Sequence, residues 1–224
     1  MIADRRALPR VACDRVTKVF GSTVALWRVD LEATAGDFVL VHGPNGSGKS
    51  TLLRIIAGLT PPSAGHVRWD GFAGAGPTIA RVGHSSGLYD ALSPLEHFDL
   101  FARLGRTDRD RAVEIFAGLG APYVLGRPCG GLSAGTRRRV ALARAFASGA
   151  DVVLLDEPLA SLDERAAIGV VALIEATIAA GGLVIAAAPS DPRLRAIAQR
   201  TVALIDGHPL HAVPAELGAE FDAV

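Results

Sequence analysis

One nine-residue segment constrains the fold of this chain more than any other. Gly43-Pro44-Asn45-Gly46-Ser47-Gly48-Lys49-Ser50-Thr51 follows the short apolar run Phe38–His42 and precedes a segment with helical spacing of apolar residues, Ser50–Leu59. It satisfies the pattern G-x-x-x-x-G-K-[ST] in the strand–loop–helix context that this pattern requires. Such glycines let backbone amides turn toward phosphate oxygens at a helix start. We therefore predict a phosphate-binding loop in which Lys49 lies between the β- and γ-phosphates and the Ser50 hydroxyl binds Mg²⁺.

A second candidate site element is a pair of acids. The aliphatic run Val152–Leu155 predicts a buried strand, and Asp156 and Glu157 follow it directly. Ligands of open parallel sheets bind at the carboxyl ends of the strands. We expect Asp156 to hold Mg²⁺ through water and Glu157 to polarise the attacking water as a general base. Many strands end in acids, so this pair gains its weight from the phosphate loop.

The remaining pattern predicts an α/β fold. Residues 11–32 alternate and turn at Gly21-Ser22, which indicates antiparallel strands near the amino terminus. Strands that alternate with helices predict a mainly parallel sheet covered on both faces. Further predicted elements are an edge strand at His66–Asp70, helical segments across 86–130 with Pro94 near a helix start, a helix at Val140–Phe146 and a strand at Leu183–Ala187. The segment 86–145 is expected to form a helical subdomain inserted into one domain that spans 1–224.

Composition excludes several classes of protein. The 224 residues are 50% hydrophobic, enough for a large core, and Lys+Arg and Asp+Glu are both 23, which argues against a nucleic-acid binder. Cys13 and Cys129 lie far apart with no ligand spacing, so a reducing compartment is expected. The start of the chain shows no signal peptide. Residues 169–188 carry one charge, Glu175, but Gly181-Gly182 divides them, which favours a buried helix and strand over a membrane span.

Two further motifs identify a resemblance. Leu132-Ser133-Ala134-Gly135-Thr136 resembles the signature motif of ABC ATPases, and Ser161-Leu162-Asp163 is similar to their D-loop. The resemblance covers essentially the whole chain and implies a P-loop NTPase core and a head-to-tail homodimer. In that dimer Ser133 and the amides near Gly135 contact the γ-phosphate held by Lys49 of the partner subunit, and Asp163 also belongs to the nucleotide site. The alternative for Ser133 is an ordinary helix cap.

The resemblance also implies partners and a location. Phe20 matches the aromatic residue that stacks on adenine, although a core position is equally open. An integral membrane permease is expected to bind, through a coupling helix, the groove beside residues 85–100, with Leu88 and Tyr89 as candidate contacts. The chain then lies at the cytoplasmic face of the membrane.

Within the family, three segments are similar to the ATPases of heme exporters in cytochrome c maturation: Val82–His84, Leu92–His97 and Arg138–Arg144. ATPases of drug, lipid or polysaccharide exporters share many of these residues. The cargo therefore stays open between heme and these other substrates.

The chain departs from the family pattern at three positions. Ser85 stands where a glutamine is expected, Pro189 where a histidine is expected, and Thr136 follows the signature glycine in place of a glutamine. Loss of one transition-state donor costs about 10²–10³-fold in rate, so we expect ATP binding with slow basal hydrolysis that a partner raises. His84 or Ser190 could substitute locally. The chain could also be a non-hydrolysing ATP switch or a regulator that acts without a permease. Four histidines show no ligand spacing and are expected to be surface or capping residues: His66, His97, His208 and His211.

Overall fold

The computed structural model describes residues 9–72 and 76–210, which form two β-sheets flanked by α-helices. The strands are β1 Arg10–Phe20, β2 Thr23–Thr34, β3 Phe38–His42, β4 Ala64–Asp70, β5 Ile79–Val82, β6 Val152–Asp156, β7 Leu183–Ala188, β8 Arg200–Ile205 and β9 His208–Leu210. The α-helices are α1 Lys49–Ile56, α2 Pro94–Arg103, α3 Arg109–Gly118, α4 Ala134–Phe146, α5 Glu164–Ala179 and α6 Pro192–Ile197. Two 3₁₀ turns, Pro122–Val124 and Cys129–Gly131, precede α4.

The two sheets differ in strand direction. The amino-terminal sheet has the order β2-β1-β4 and is antiparallel throughout. The larger sheet has the order β5-β6-β7-β3-β8-β9, and all its neighbouring strands are parallel except β8 and β9. Its central strands β6 and β7 are buried along their whole length, as parallel strands with both faces covered must be. The predicted α/β class is confirmed.

Alternation along the central strands creates two hydrophobic layers. Successive side chains of a strand point to opposite faces. Val39 and Val41 of β3 therefore pack with α1 and the antiparallel sheet, where Leu52 and Leu26 are buried. Phe38 and Leu40 pack on the other face with α4 and α5. The sheet is thus fixed between α1 and the antiparallel sheet on one face and α4 and α5 on the other.

A third hydrophobic cluster lies among the helices α2, α3 and α4. Phe98 and Phe116 meet edge to face with ring centroids 6.0 Å apart, and Val140 of α4 packs beside them. Ser93 caps α2 and forms a capping box with Glu96, which explains why the helix begins at Pro94. Because α4 contributes to this cluster and also to the core beside the sheet, it connects the helical segment to the sheet.

Several elements were not predicted from the sequence. The strands β5, β8 and β9 were missed because they are short and only partly apolar.

The stretch 169–188 contains the end of α5 and the buried strand β7, as expected. Across 9–72 and 76–210 no helix has the length and apolar character needed to cross a membrane. Both cysteines are free and buried, in agreement with the absence of a predicted disulfide.

Candidate functional site

The predicted phosphate loop joins the end of β3 to the start of α1. Gly43, Gly46 and Gly48 all have positive φ, at 145°, 84° and 94°. A Cβ atom on Gly43 would lie 2.0 Å from the carbonyl oxygen of Leu204, and one on Gly48 would lie 2.4 Å from that of Ala25. Only glycine fits these two positions, so the neighbouring strands determine the path of the loop.

Lys49 is folded back across this loop. Lys49 is only 5% exposed, and its Nζ donates to the carbonyl oxygens of Gly43 and Pro44, each at 2.7 Å. Burial lowers the pKa of Lys49, while the negative charges of Glu157 and then Asp156 act in the opposite direction. The ammonium group is therefore held by the loop carbonyls, where the charges of Glu157 and Asp156 act on it.

The end of β6 brings the predicted metal ligands together. The Ser50 hydroxyl donates to Oδ1 of Asp156 at 2.9 Å, across 106 residues of sequence. A hydroxyl and a buried carboxylate are the hard oxygen donors that Mg²⁺ prefers, and Mg²⁺ commonly takes only one or two protein ligands beside phosphate and water. Ser47 Oγ is buried without a hydrogen-bond partner at the same loop. These residues fit a magnesium nucleotide.

Glu157 has an unusual backbone conformation. Its φ is +51°, in the left-handed region that non-glycine residues seldom adopt. Its N–H donates to the carbonyl oxygen of Ala187 on β7 at 2.6 Å. Such conformations persist where the surroundings hold them and concentrate at functional sites. The glutamate is thereby positioned directly after Asp156 at the carboxyl end of the sheet.

The signature segment packs against the loop that follows Glu157. Ser133 caps α4, because its side chain accepts a hydrogen bond from the backbone N–H of Thr136 at 3.2 Å. Within this chain, Ser133 therefore acts as the ordinary helix cap that the sequence left open as an alternative. A Cβ atom on Gly135 would lie 2.3 Å from the carbonyl oxygen of Ser161. The α4 start therefore touches the D-loop directly.

Asp163 of the D-loop has two structural contacts. It caps α5 by accepting from the N–H of Ala166 at 2.9 Å, and it pairs with Arg139 of α4 at 2.6 Å. Backbone bonding to Ala166 is the largest cause that lowers the pKa of Asp163, and Arg139 adds to it. The aspartate therefore stays ionised and fixes the start of α5 to α4.

Phe20 is exposed at the end of β1. The residue is 52% exposed and the Lys18 ammonium lies 4.9 Å from the centre of its ring. The alternative of a core position is therefore wrong: the ring lies at the surface, with the Lys18 ammonium over it. Ser85 and Pro189, the two positions that depart from the family pattern, are also exposed, as are His84 and Ser190.

His97 corrects one expectation from the sequence. It was expected at the surface or in a cap, but it is fully buried, and its Nε2 accepts from the N–H of Tyr89 at 2.9 Å. Its ring lies parallel to Tyr89 and near Phe101. Burial lowers the pKa of His97, which favours the neutral ring. His66 and His208 are exposed as expected, and His211 lies outside the described residues.

Arg138 was not singled out from the sequence, although it lies at the site. Its side chain is buried and donates to the carbonyl oxygens of Gly83, Asp156 and Glu157. The available signal was helical spacing, because Arg138 shares a face with the apolar residues Ala141, Leu142 and Ala145. A charged residue on an apolar helix face must find buried partners.

The glycine loop at the end of β3 faces an acid pair at the end of β6, which is the arrangement of a P-loop nucleotide-binding domain. The family model described as "ABC transporter" matches residues 26–160. The chain belongs to the ABC transporter family, as one of its ATP-binding subunits.

Similarity to individual proteins extends over most of the chain. It is 37% identical to the cytochrome c biogenesis ATP-binding export protein CcmA of Roseobacter denitrificans, over 95% of this chain and 97% of the relative. It is 35% identical to the phosphonates import ATP-binding protein PhnC of Hyphomonas neptunium, over 94% and 90% of the two chains. Among solved structures, the dimeric bacterial ABC transporter cassette MJ0796 superposes with a TM-score of 0.81 at 26% identity, covering 92% of this chain and 98% of that one.

Proposed function

We propose that this chain hydrolyses ATP with Mg²⁺ to drive export through a separate integral membrane permease, at the cytoplasmic face of the membrane. The observation that carries the proposal is the contact of Ser50 with Asp156, which places the phosphate loop beside the acid pair. Bound Mg²⁺ neutralises phosphate charge during phosphoryl transfer. The Ser50 hydroxyl would bind the metal and Asp156 would hold it through water, Lys49 would bind the phosphate oxygens, and Glu157 would accept a proton from the attacking water that it orients.

Calorimetry with purified protein tests the nucleotide site first. Titration with ATP and Mg²⁺ is expected to give saturable binding to one site per chain. An absence of detectable affinity would remove the motor and the transport role together. Because the whole of 1–224 is proposed to act as one ATP-binding domain, with 86–145 as its helical subdomain, the full chain is the protein to use.

We propose that two copies close head to tail around two nucleotides. Ser133 and the start of α4 of one copy then complete the site around Lys49 of the other. Support comes from the similarity to MJ0796, which is dimeric, including its post-hydrolysis state bound to ADP and Pi, at 27% identity and a TM-score of 0.80. Phe20 is proposed to stack on adenine, and Asp163 to hold the D-loop at the nucleotide site.

The proposed cargo is heme for cytochrome c biogenesis. Support comes from relatives named as cytochrome c biogenesis export proteins, at 37% and 38% identity in Roseobacter denitrificans and Ruegeria pomeroyi. The test is restoration of holocytochrome c in a bacterium that lacks its own export ATPase but keeps the permease, with Lys49→Ala as the inactive control. Growth on phosphonate in a strain lacking its import ATPase is the opposing arm. Rescue of that arm alone would overturn the heme assignment.

Slow hydrolysis by the isolated chain is the second part of the proposal. Ser85 replaces a side chain that could link the metal to the groove, and Pro189 can donate no hydrogen bond toward the γ-phosphate. Restoring the donor in Pro189→His is expected to raise single-turnover hydrolysis by about 10²–10³-fold. Brisk hydrolysis by the unmodified chain without a permease would contradict the idea. No phosphate release with or without the permease would favour a non-hydrolysing ATP switch instead.

A further inference from the structure

Arg138 lies at a junction of three segments that surround the nucleotide site. It is on the first turns of α4, whose start carries Ser133 and Gly135, and it is 7% exposed. Its Nη1 donates to the carbonyl oxygen of Gly83 at 2.7 Å, directly after β5. Its Nη2 donates to the carbonyl oxygens of Asp156 and Glu157 at the end of β6.

The partners of Arg138 make it different from an ordinary buried ion pair. All three acceptors are backbone carbonyls at the carboxyl ends of the neighbouring parallel strands β5 and β6. Burial lowers the pKa of this guanidinium, and the charges of Asp156 and Glu157 act against that effect. An arginine remains charged even so. Its planar fork can hold several acceptors at once in fixed directions, which a lysine ammonium cannot do.

The carbonyl contact bears directly on Glu157. The backbone N–H of Glu157 is held by Ala187, and its carbonyl oxygen is held by Arg138. The residue between these two bonds has the left-handed φ of +51°. With both sides of the residue held, the direction of its Cα–Cβ bond is also held, and this bond is where the side chain that carries the carboxylate begins.

We propose that Arg138 is a positioning residue for hydrolysis, which links the position of α4 and of the segment after β5 to the orientation of Glu157. This inference rests on the proposed function, because it requires Glu157 to act on the attacking water. Arg138 also connects the segment after β5 to the acid pair, a connection that the Ser85 side chain does not make. Movement of that segment would reach the acid pair through the Gly83 backbone and the guanidinium of Arg138. The cargo and the permease do not enter the argument.

The first test compares Arg138→Met with Arg144→Met. Arg144 lies on the same helix and burial lowers its pKa as well, but its guanidinium lies 4.2 Å from the Phe101 ring and near the Gly87 carbonyl, away from the acid pair. Misplacement of a catalytic group by about 1 Å can reduce rate by about 10²-fold. Arg138→Met is expected to lower kcat for ATP by about 10- to 100-fold while KM changes less than about twofold. Arg144→Met is expected to keep kcat, with a comparable loss of thermal stability.

The second test separates positioning from packing. Arg138→Ala leaves room for a small cation, so guanidinium at millimolar concentration is expected to restore part of kcat, and methylammonium is not, because it has no planar fork. Guanidinium should have no effect on Arg144→Ala. Parental kcat in Arg138→Met would overturn the proposal. So would a loss of kcat that only follows the loss of folded protein and is not restored by guanidinium.

The variant Glu157→Gln distinguishes failure of the proposed function from failure of the proposed role of Arg138. If Glu157→Gln hydrolyses ATP at the parental rate, the assigned base is wrong and the proposed function fails at that residue. If Glu157→Gln is inactive while Arg138→Met keeps the parental kcat, the proposed function stands and the role of Arg138 falls. In the expected outcome, both variants are slow and both still bind ATP.

Discussion

At the scale of single residues, we expect nucleotide affinity to depend most on Lys49. Removing its ammonium in Lys49→Ala removes charge-assisted hydrogen bonds worth about 1.5–3 kcal/mol each. We expect ATP affinity to fall by at least about tenfold, since about 1.4 kcal/mol corresponds to tenfold. Calorimetry gives the affinity directly. Arg54→Ala is the matched control, because Arg54 lies on the same helix with an exposed side chain and contacts Thr60 instead of the loop.

Glu157 determines the rate of hydrolysis in this scheme and not the affinity. Glu157→Gln keeps the shape of the side chain but removes the base, and a positioned general base contributes about 10²–10⁴-fold. Phosphate release is expected to fall by a factor in that range, while ATP binding is retained and the ATP-bound pair accumulates in gel filtration. Glu164→Gln controls for charge, because Glu164 is exposed and pairs with Arg193. Equal loss of activity in the two variants would contradict the assignment.

The sequence alone predicted the candidate site residues that form a recognisable local pattern. The nine residues from Gly43 to Thr51 stand together in the chain, so their chemistry follows from spacing and context. Arg138 and His97 have partners outside the helices that carry them. The helical spacing of Arg138 indicates that it needs buried partners, but its contact with Gly83 spans 55 residues and the sequence does not identify that partner. The i, i+4 spacing of His97 and Phe101 within α2 was visible in the sequence, but the stacking of Tyr89, which precedes the helix, on the His97 ring was not.

At the scale of elements, the contact between α4 and the D-loop is limited by a single glycine. Gly135→Ala would place a methyl group 2.3 Å from the Ser161 carbonyl oxygen, so the helix start or the loop must move. Overpacking of this kind costs about 1–3 kcal/mol. Urea denaturation is expected to show that loss in the free energy of unfolding. Gly131→Ala, where no atom lies within 4 Å of the added methyl group, should leave stability nearly unchanged.

Strands differ in how well the sequence predicts them, and burial explains the difference. β3, β6 and β7 are continuous aliphatic runs because both faces of a central parallel strand are covered. The strand β5 has only four residues and includes Arg81, and β8 begins with Arg200 and ends at an exposed Ile205. The strand β5 is at the edge of the sheet and β8 is the last strand before the edge strand β9, so both need fewer apolar side chains than the central strands. Their pairing with β6 and β3 is set by the tertiary fold, which no local pattern encodes.

At the scale of the whole molecule, the proposed head-to-tail homodimer can be tested with two substitutions that act on different halves of each nucleotide site. A two-fold pair in which each site uses Lys49 from one copy and Ser133 from the other must contain two equivalent composite sites. Lys49→Ala damages one half of each site, and Ser133→Arg blocks the other half with a bulky side chain. Each variant alone is therefore expected to be inactive.

Mixing the two inactive variants should restore part of the hydrolysis. In a mixed pair, one composite site carries both substitutions and the other carries neither, so the second site has a complete set of groups. Phosphate release is measured as the two proteins are titrated together at constant total concentration, and it should pass through a maximum near equal amounts. A mixture of Lys49→Ala with Lys49→Ala,Ser133→Arg is the control, because no pairing of these chains forms an intact site. If the first mixture stays as inactive as its components, each site is built within one chain and the head-to-tail arrangement is wrong.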